Sequence, residues 1–163
     1  MNTKLISLDT SSTATGWAYY ENGTLKKSGV LLSNRSLETE QRVNQMCKMI
    51  INVLDTYQPD MIVIEMVALT RNALIQRILT EIVGVVRGYS IIHNICFFRL
   101  RPAEWRSLVK RDQDKIGGEK REVLKQWSKQ YVLEEFGKTV TDDESDAILI
   151  GLAYIKLADK KGV

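Results

Sequence analysis

The sequence predicts an α/β fold in which one mixed sheet carries helices packed against it. Its first part holds three strand-like runs with a hairpin signal, which indicates antiparallel strands. The rest alternates helical patterns with short apolar runs, an order typical of helices joining parallel strands. A length of 163 residues is enough for one hydrophobic core, so we expect a single domain over 1–163.

The first three strands are predicted from short apolar runs. "KLISLD" at residues 4–9 is typical of a buried strand, and "GWAYY" and "TLKKSGVLL" follow as two more. Asn22 and Gly23 separate the second run from the third, and Asn-Gly between strands is a strong hairpin signal. The sequence therefore predicts an antiparallel meander.

Helical and strand-like patterns alternate in the middle of the chain. Apolar residues at helical spacing predict a helix over 36–57, and "MIVIE" then has the pattern of a strand buried on both faces. A second helix is expected over Ala73 to Tyr89, followed by a short strand in "ICFFRL". This part of the chain therefore predicts two parallel strands covered by helices.

The last third is predicted to be helical. Pro102 begins a helix that contains "EWRSLV", and a polar loop over 112–118 follows it. The run "EKREVLKQWSKQYVLEEF" predicts the next helix, which Gly137 ends. Thr141 is a favourable N-cap for a final helix that begins in "TDDESD".

Composition excludes several classes of protein. The chain is 44% hydrophobic and 26% charged, as in ordinary globular domains, and no apolar run approaches the roughly 20 residues of a membrane span. Its N-terminus lacks the pattern of a secretory signal. Cys47 and Cys96 form no CxxC pair, which argues against a disulfide framework or zinc site, and both are predicted to lie in the core. We therefore expect a cytoplasmic protein.

Basic residues are concentrated in one segment although the net charge is only +3. Ten Lys and Arg residues lie from Arg99 to Lys129, against five acids. Such a segment is typical of a face that binds a polyanion, but a solvated pair of helices has the same composition. Charge alone leaves both interpretations open.

Four acids are candidates for a metal site. Asp9 ends the first strand, Glu65 ends "MIVIE", and Asp143 and Asp146 share one face at the start of the last helix. Carboxylates that meet at neighbouring strand ends repel one another, and Mg²⁺ or Mn²⁺, which prefer carboxylate ligands, relieve that repulsion. Two such ions can activate a water and stabilise the leaving oxygen in phosphodiester cleavage.

Each acid also has an ordinary structural interpretation. Asp9 precedes Thr-Ser-Ser, a setting in which Asp often forms a turn through its own backbone. Asp143 and Asp146 are also favourable as acids near a helix N-terminus. Only the four together, in this order of elements, favour the metal site.

The motifs resemble a known family. "LDTSSTATGWAYY", "QPDMIVIEMVALTRN", "IGGEKREVLKQW" and "DESDAILIGLAY" together resemble RuvC-type Holliday-junction resolvases of the RNase H-like superfamily, over roughly residues 4–158. The resemblance implies an RNase H-like mixed five-stranded sheet, with three antiparallel strands and then parallel strands, flanked by helices. It implies a homodimeric endonuclease that makes paired nicks at four-way DNA junctions with two Mg²⁺ or Mn²⁺ ions per active site. Compact members are typical of phages, which would place the protein in the host cytoplasm, and they would extend the substrates to Y-shaped and three-way DNA.

The resemblance also implies roles for individual residues. Asp9, Glu65, Asp143 and Asp146 match the metal-binding and catalytic acids, and Lys120 matches a catalytic basic residue near the scissile phosphate. Candidate DNA contacts are Arg71, Asn72, Arg106, Lys110, Arg111, Lys115, Lys120 and Arg121.

Two segments are expected to shape the approach of the DNA. Ala68, with Leu69 beside it, stands where the best-known members carry an aromatic residue that wedges into the junction, so strand opening is expected to differ. The small residues Thr10 to Gly16 are expected to form a tight turn with room for a DNA backbone.

Two other functions compete with a nuclease. The chain could be a degenerate, non-catalytic binder of branched DNA, although all four acids are present. "LDTSSTATG" also resembles the first phosphate loop of actin-like and sugar-kinase ATPases, which would make the chain a nucleotide-binding protein. Those proteins need two such domains and a second Asp-Gly loop, and this chain has neither.

Overall fold

The computed structural model describes residues 3–67 and 72–162. Its sheet contains β1 (Lys4–Asp9), β2 (Ala14–Glu21), β3 (Thr24–Leu32), β4 (Met61–Glu65) and β5 (Cys96–Leu100). The helices are α1 (Thr39–Tyr57), α2 (Ala73–Ile92), α3 (Pro102–Val109), α4 (Arg121–Phe136) and α5 (Asp142–Lys161).

The strands form one five-stranded sheet in the order β3-β2-β1-β4-β5. β2 pairs antiparallel with both β1 and β3, whereas β1, β4 and β5 run parallel to one another. This arrangement confirms the predicted mixed sheet of the RNase H-like class. The predicted hairpin is present as well, since Asn22 and Gly23 have φ values of 51° and 75°, as a type I′ turn requires.

Helices cover both faces of the sheet because successive side chains of each strand point to opposite sides. Ile6 and Ile62 belong to the core cluster that packs against α1 and α2. Leu5 and Val63, one position away in the same strands, belong to the cluster that packs against α3, α4 and α5. The fully buried "IVI" of β4 is therefore covered on both sides, as its sequence predicts.

Helix α5 lies directly on the antiparallel strands. Ser7 Oγ donates to the carbonyl of Ala147 at 2.7 Å, and the Tyr20 hydroxyl donates to that of Ile148 at 2.6 Å. A Cβ atom at Gly16 would lie 1.8 Å from the backbone oxygen of Asp143. The space beside Gly16 is therefore taken by the first turn of α5 and is not left open for a DNA backbone.

One predicted core residue lies at the surface. Cys47 is buried on α1 as expected, but Cys96 is exposed, so its assignment to the core was wrong. Cys96 begins β5, which is the edge strand of the sheet, so no further strand of the described chain pairs with β5 on its outer side. Within residues 3–67 and 72–162, we find no helix with the length and apolar character needed to cross a membrane.

Candidate active site

The four predicted acids line one cavity of about 390 Å³. Leu8 of β1 lies opposite Ile64 of β4. The next residues, Asp9 and Glu65, therefore lie side by side at the ends of two neighbouring parallel strands. The first turns of α5 bring Asp143 and Asp146 to the same cavity.

The absence of a side chain at Gly16 allows this convergence. Gly16 lies opposite Asp9 in the ladder between β1 and β2, and the backbone of Asp143 occupies the volume that a Cβ atom would fill. A larger residue at this position would push the start of α5 away from the strand end. Gly16 therefore sets how close Asp143 comes to Asp9.

Burial raises the pKa values of all four acids, and neighbouring carboxylates add to this effect at some of them. Burial raises the pKa of Asp9 well above its ordinary range, and the charges of Glu65, Asp146 and Asp143 raise it further. Burial also raises the pKa of Glu65 and of Asp143, and it raises that of Asp146 to about 6. A nearby divalent cation would favour the ionised form of all four.

The donor set fits hard divalent cations. All four side chains offer carboxylate oxygens, the ligands that Mg²⁺ and Mn²⁺ prefer. Asp146 Oδ1 is buried without a hydrogen bond of normal geometry in the described part of the chain, although the Ser128 hydroxyl is near enough to lower the pKa of Asp146. A buried oxygen without a partner is costly, and a bound cation would remove that cost.

The acids do not form a closed single-ion cage. Among the described residues, no three His, Cys, Asp or Glu side chains are arranged to hold one metal ion together. Five carboxylates line the cavity, because Asp142 lies there together with the four predicted acids.

Three cationic side chains also line the cavity, namely Arg106, Arg121 and Lys125. Arg106 lowers the pKa of Asp9, of Glu65 and of Asp146 through its charge. None of the three cations forms an ion pair with any of the four acids within 4.0 Å in the described ranges. The charges of Arg106 and Arg121 are therefore available to an anion that enters the cavity, whereas Lys125 already pairs with Asp142.

Lys125 was not among the predicted DNA contacts. Its Nζ atom lies 2.8 Å from Asp142 Oδ2. Among the cations whose charge lowers the pKa of Asp143, Lys125 has the largest effect. Lys125 follows Arg121 by four residues on α4, so both lie on one face of the helix. That spacing is the signal in the sequence that could have identified it.

The predicted catalytic Lys120 lies at the N-cap of α4 and is exposed. It is not among the residues that line the acid cavity, whereas the next residue, Arg121, is. Lys110 and Arg106 line a neighbouring groove of about 460 Å³ beside the loop that contains Gly117 and Gly118.

Other predicted DNA contacts are farther from the acids. Lys115 is exposed on the loop before α4. Asn72 is the N-cap of α2, where its side-chain oxygen accepts hydrogen bonds from the backbone of Leu74 and Ile75. Arg71 and the wedge position, Ala68 with Leu69, lie outside the described residues.

Arg111 is held within the chain. It pairs with Asp114 at 3.3 Å and with Glu134 at 2.7 Å, and its guanidinium lies 4.4 Å from the centre of the Tyr131 ring. Two carboxylates therefore already balance its charge, unlike that of Arg106. A DNA contact by Arg111 stays a prediction.

A further residue reaches one of the acids without having been predicted to do so. Trp105, on α3, is fully buried. Its indole Nε1 also donates a hydrogen bond of 2.6 Å to Glu65 Oε2. Forty positions separate the two residues, so no local pattern in the sequence joins them.

No family model and no curated protein matches the sequence. Solved structures match the fold over nearly the whole chain. Thermus thermophilus RuvC in complex with a Holliday junction substrate is 14% identical with a TM-score of 0.74, and the match covers 97% of this chain and 96% of that one. Fowlpox virus resolvase, in complex with Holliday junction DNA, is 16% identical with a TM-score of 0.60, over 95% and 98% of the two chains.

The yeast mitochondrial Holliday junction resolvase Ydc2 is 12% identical with a TM-score of 0.62, over 97% of this chain and 80% of that one. Bacterial, viral and mitochondrial resolvases thus match over almost the same extent. The chain has the RuvC-type resolvase fold.

Proposed function

We propose that this protein is a structure-selective DNA endonuclease that depends on divalent metal ions, resolves Holliday junctions by paired nicks, and cuts Y-shaped and three-way DNA as well. The whole chain would act as one nuclease domain. The observation that carries this proposal is the meeting of Asp9, Glu65, Asp143 and Asp146 in one cavity that basic side chains also line. This constellation lies on a fold shared with proteins solved in complex with Holliday junctions.

The four acids would hold the metal ions. Asp9 would be the shared ligand of two Mg²⁺ or Mn²⁺ ions, Glu65 would complete one set of ligands, and Asp143 with Asp146 the other. Because no three described acids are arranged to hold one ion in this structure, ion binding would draw these side chains closer together. When bound, such ions activate a water for in-line attack on the phosphodiester and stabilise the leaving oxygen.

Basic residues would hold the DNA strand against the acids. Arg106, Arg121 and Lys125 line the cavity and would contact phosphates, which provide much of the affinity of nucleic-acid-binding proteins. Lys120 lies next to Arg121 and would neutralise charge that develops on the scissile phosphate. Lys110 would contact the strand where it continues into the neighbouring groove.

A homodimer would provide the two active sites that paired nicks require. The exposed face of α2 fits a second copy of the chain. Ile91 and Ile92 are 65% and 76% exposed at its end. A Cβ atom at Gly84 or Gly88 would meet nothing within 4 Å, so no contact within the described chain explains two glycines in a helix.

The charges of α2 are complementary to a second, antiparallel α2. Glu81 and Arg87 are exposed and lie three residues before and three residues after Gly84. Two helices that cross antiparallel at Gly84 would therefore place each Glu81 opposite an Arg87, in two symmetric ion pairs.

Light scattering of wild type, Glu81→Arg, Arg87→Glu and the double variant tests this interface. Each single variant should shift the protein toward monomer by like-charge repulsion, and the double variant should restore the dimer. A wild-type monomer, or single variants as dimeric as wild type, would remove α2 as the interface.

Parallel cleavage assays test the nuclease. Synthetic four-way, three-way, Y-shaped and linear duplex DNA would be incubated with Mg²⁺, with Mn²⁺ and with a chelator. We expect metal-dependent nicks in the branched substrates, paired and opposed in the four-way junction, and little cleavage of linear duplex. Tight binding of branched DNA without any nick would instead favour a non-catalytic junction binder.

A further inference from the structure

Trp105 places a hydrogen-bond donor against one of the proposed metal ligands. The indole is fully buried in α3, and Nε1 lies 2.6 Å from Glu65 Oε2. A short hydrogen bond to a carboxylate is among the stronger hydrogen bonds in proteins. This contact joins the start of α3 to the end of β4.

The donor itself is held by neighbours on two sides. The ring of Trp127 stacks on that of Trp105, with 6.4 Å between centroids and 25° between planes. The Arg106 guanidinium lies 4.4 Å from the centre of the Trp105 ring. A fully buried ring between these groups cannot turn freely, so the direction of its N–H is fixed.

A fixed donor constrains how Glu65 can act. A glutamate at the end of a strand has three rotatable side-chain bonds, and its carboxylate can present one oxygen or both to a cation. A hydrogen bond on Oε2 fixes the orientation of the carboxylate and leaves Oε1 as the oxygen without this bond. Such outer partners of metal ligands typically contribute about 10- to 100-fold in metal affinity.

We propose that Trp105 is a positioning residue that makes Glu65 bind its cation through one oxygen, which favours Mg²⁺ over Ca²⁺ at this site. Mg²⁺ is small and demands near-octahedral geometry, whereas Ca²⁺ readily accepts both oxygens of a carboxylate. This inference rests on the proposed function, because it takes Glu65 to be a metal ligand.

Calorimetric titration of Mg²⁺ and Ca²⁺ into wild type, Trp105→Phe and Trp127→Phe tests the proposal. Phe keeps an aromatic ring but lacks the N–H. Trp105→Phe should bind Mg²⁺ about 10-fold more weakly while its affinity for Ca²⁺ is unchanged or higher. Trp127→Phe is the matched control, because Phe keeps an aromatic ring against Trp105, and the N–H that is lost belongs to a residue that lines a different cavity, beside Asp114 and Glu134.

The outcomes separate this inference from the proposed function. Equal Mg²⁺ affinity in Trp105→Phe and Trp127→Phe, or an equal loss for Mg²⁺ and Ca²⁺ in Trp105→Phe, would overturn the role of Trp105. A wild-type protein that binds neither ion would overturn the metal site itself.

A second measurement on folded wild type covers the case in which Trp105→Phe does not fold. In ¹H–¹⁵N spectra, one indole N–H signal should lie downfield of the other two, move on addition of Mg²⁺, and move in Glu65→Gln. If none of the three indole signals changed position on addition of Mg²⁺ or in Glu65→Gln, the proposal would be contradicted.

Discussion

Asp142 and Asp146 lie on two sides of the first turns of α5, and their electrostatic surroundings are opposite. Asp142 lies 2.8 Å from Lys125 Nζ and 3.0 Å from Lys129 Nζ, and hydrogen bonds from these lysines lower its pKa. Asp146, one turn later, has a buried oxygen without a normal hydrogen bond in the described part of the chain, and burial raises its pKa to about 6.

This difference separates the acids that stabilise the fold from those that carry the proposed function. Helix position does not distinguish them, because both lie where acids favour a helix N-terminus. Asp142 already has cations of the chain beside it. Asp146, like Asp9, is partly removed from water beside other carboxylates, an arrangement that costs stability until a cation binds.

The largest expected effect comes from removing the shared acid. Asp9→Asn should lower metal-dependent junction cleavage by more than about 100-fold, because it removes a direct ligand and not only an outer partner. Junction binding in a chelator should be retained or tighter, since the variant has one negative charge fewer near the DNA.

Rates of nicking at saturating Mg²⁺ and gel shifts in chelator measure both properties. Glu144→Gln is the matched control, because Glu144 pairs with Lys138 and accepts a hydrogen bond from Ser28, outside the acid cavity. If Asp9→Asn cleaved as fast as this control, the acid cavity would not be the active site.

Replacing Lys125 should have a smaller effect than Asp9→Asn, and a comparison with Lys129 tests whether Lys125 contacts the DNA. Both pair with Asp142, but only Lys125 lines the acid cavity. Lys125→Ala should weaken junction binding by about 10-fold and reduce the slope of log affinity against log salt by about 1, as for a lost phosphate contact.

Lys129→Ala should change junction affinity by less than about threefold, because Lys129 pairs with the same Asp142 but does not itself line the cavity. Binding isotherms over a salt series measure the two variants together. Equal losses in both would show that Lys125 acts only through Asp142.

The comparison also predicts opposite changes in stability. In chelator near neutral pH, Asp146→Asn should raise the free energy of unfolding on the order of 1 kcal/mol, since it removes a charge crowded among carboxylates. Asp142→Asn should lower it by up to about 1 kcal/mol, the range of partly exposed ion pairs.

For a chain of this size each change is a shift of roughly 2–4 °C in Tm. Thermal unfolding of the two variants and wild type in chelator, and again with Mg²⁺, measures it. The gain in Asp146→Asn should disappear with Mg²⁺. A loss of stability in both variants without metal would contradict the distinction between the two sides of α5.

The paired acid Asp114 predicts a pH dependence of stability. Burial alone would raise its pKa, but hydrogen bonds from the backbone and side chain of Arg111 outweigh burial and lower the pKa below 3.8. Its contribution to stability is therefore present above the unfolded-state pKa and is lost as the pH falls through the lowered folded-state value.

Asp114→Asn should accordingly be less stable than wild type by about 1 kcal/mol at neutral pH, and the difference should shrink as the pH falls through the unfolded-state pKa of Asp toward the lowered folded-state value. Urea unfolding of both proteins at several pH values measures the difference. A difference that stays constant into acid would mean that the ionised carboxylate is not responsible.

The sequence predicts those parts of the molecule that depend on local pattern. The turn at Asn22-Gly23 depends only on the backbone conformation of these two residues. The continuous apolar run "MIVIE" predicts a strand that is covered on both faces. The convergence of Asp9 with Glu65 follows from the rule that adjacent parallel strands end together. Each of these signals lies within a few residues of the feature that it predicts.

Contacts between distant segments could not be predicted in this way. Trp105 and Glu65 are forty positions apart, and an amphipathic pattern predicts that a Trp is buried but not what its N–H meets. The role of Gly16 depends on where α5 lies, and the exposure of Cys96 depends on β5 being an edge strand. Likewise, the position of a basic residue in a basic segment does not show whether acids of the chain already balance its charge, as Asp114 and Glu134 do for Arg111.

The most direct test is to count bound Mn²⁺ by electron paramagnetic resonance in wild type, Asp146→Asn and Glu144→Gln. We expect two Mn²⁺ ions per chain in wild type and in Glu144→Gln, and the loss of at least one in Asp146→Asn. If Asp146→Asn bound as many ions as wild type with the same affinity, the acids without ion pairs on α5 would not be metal ligands.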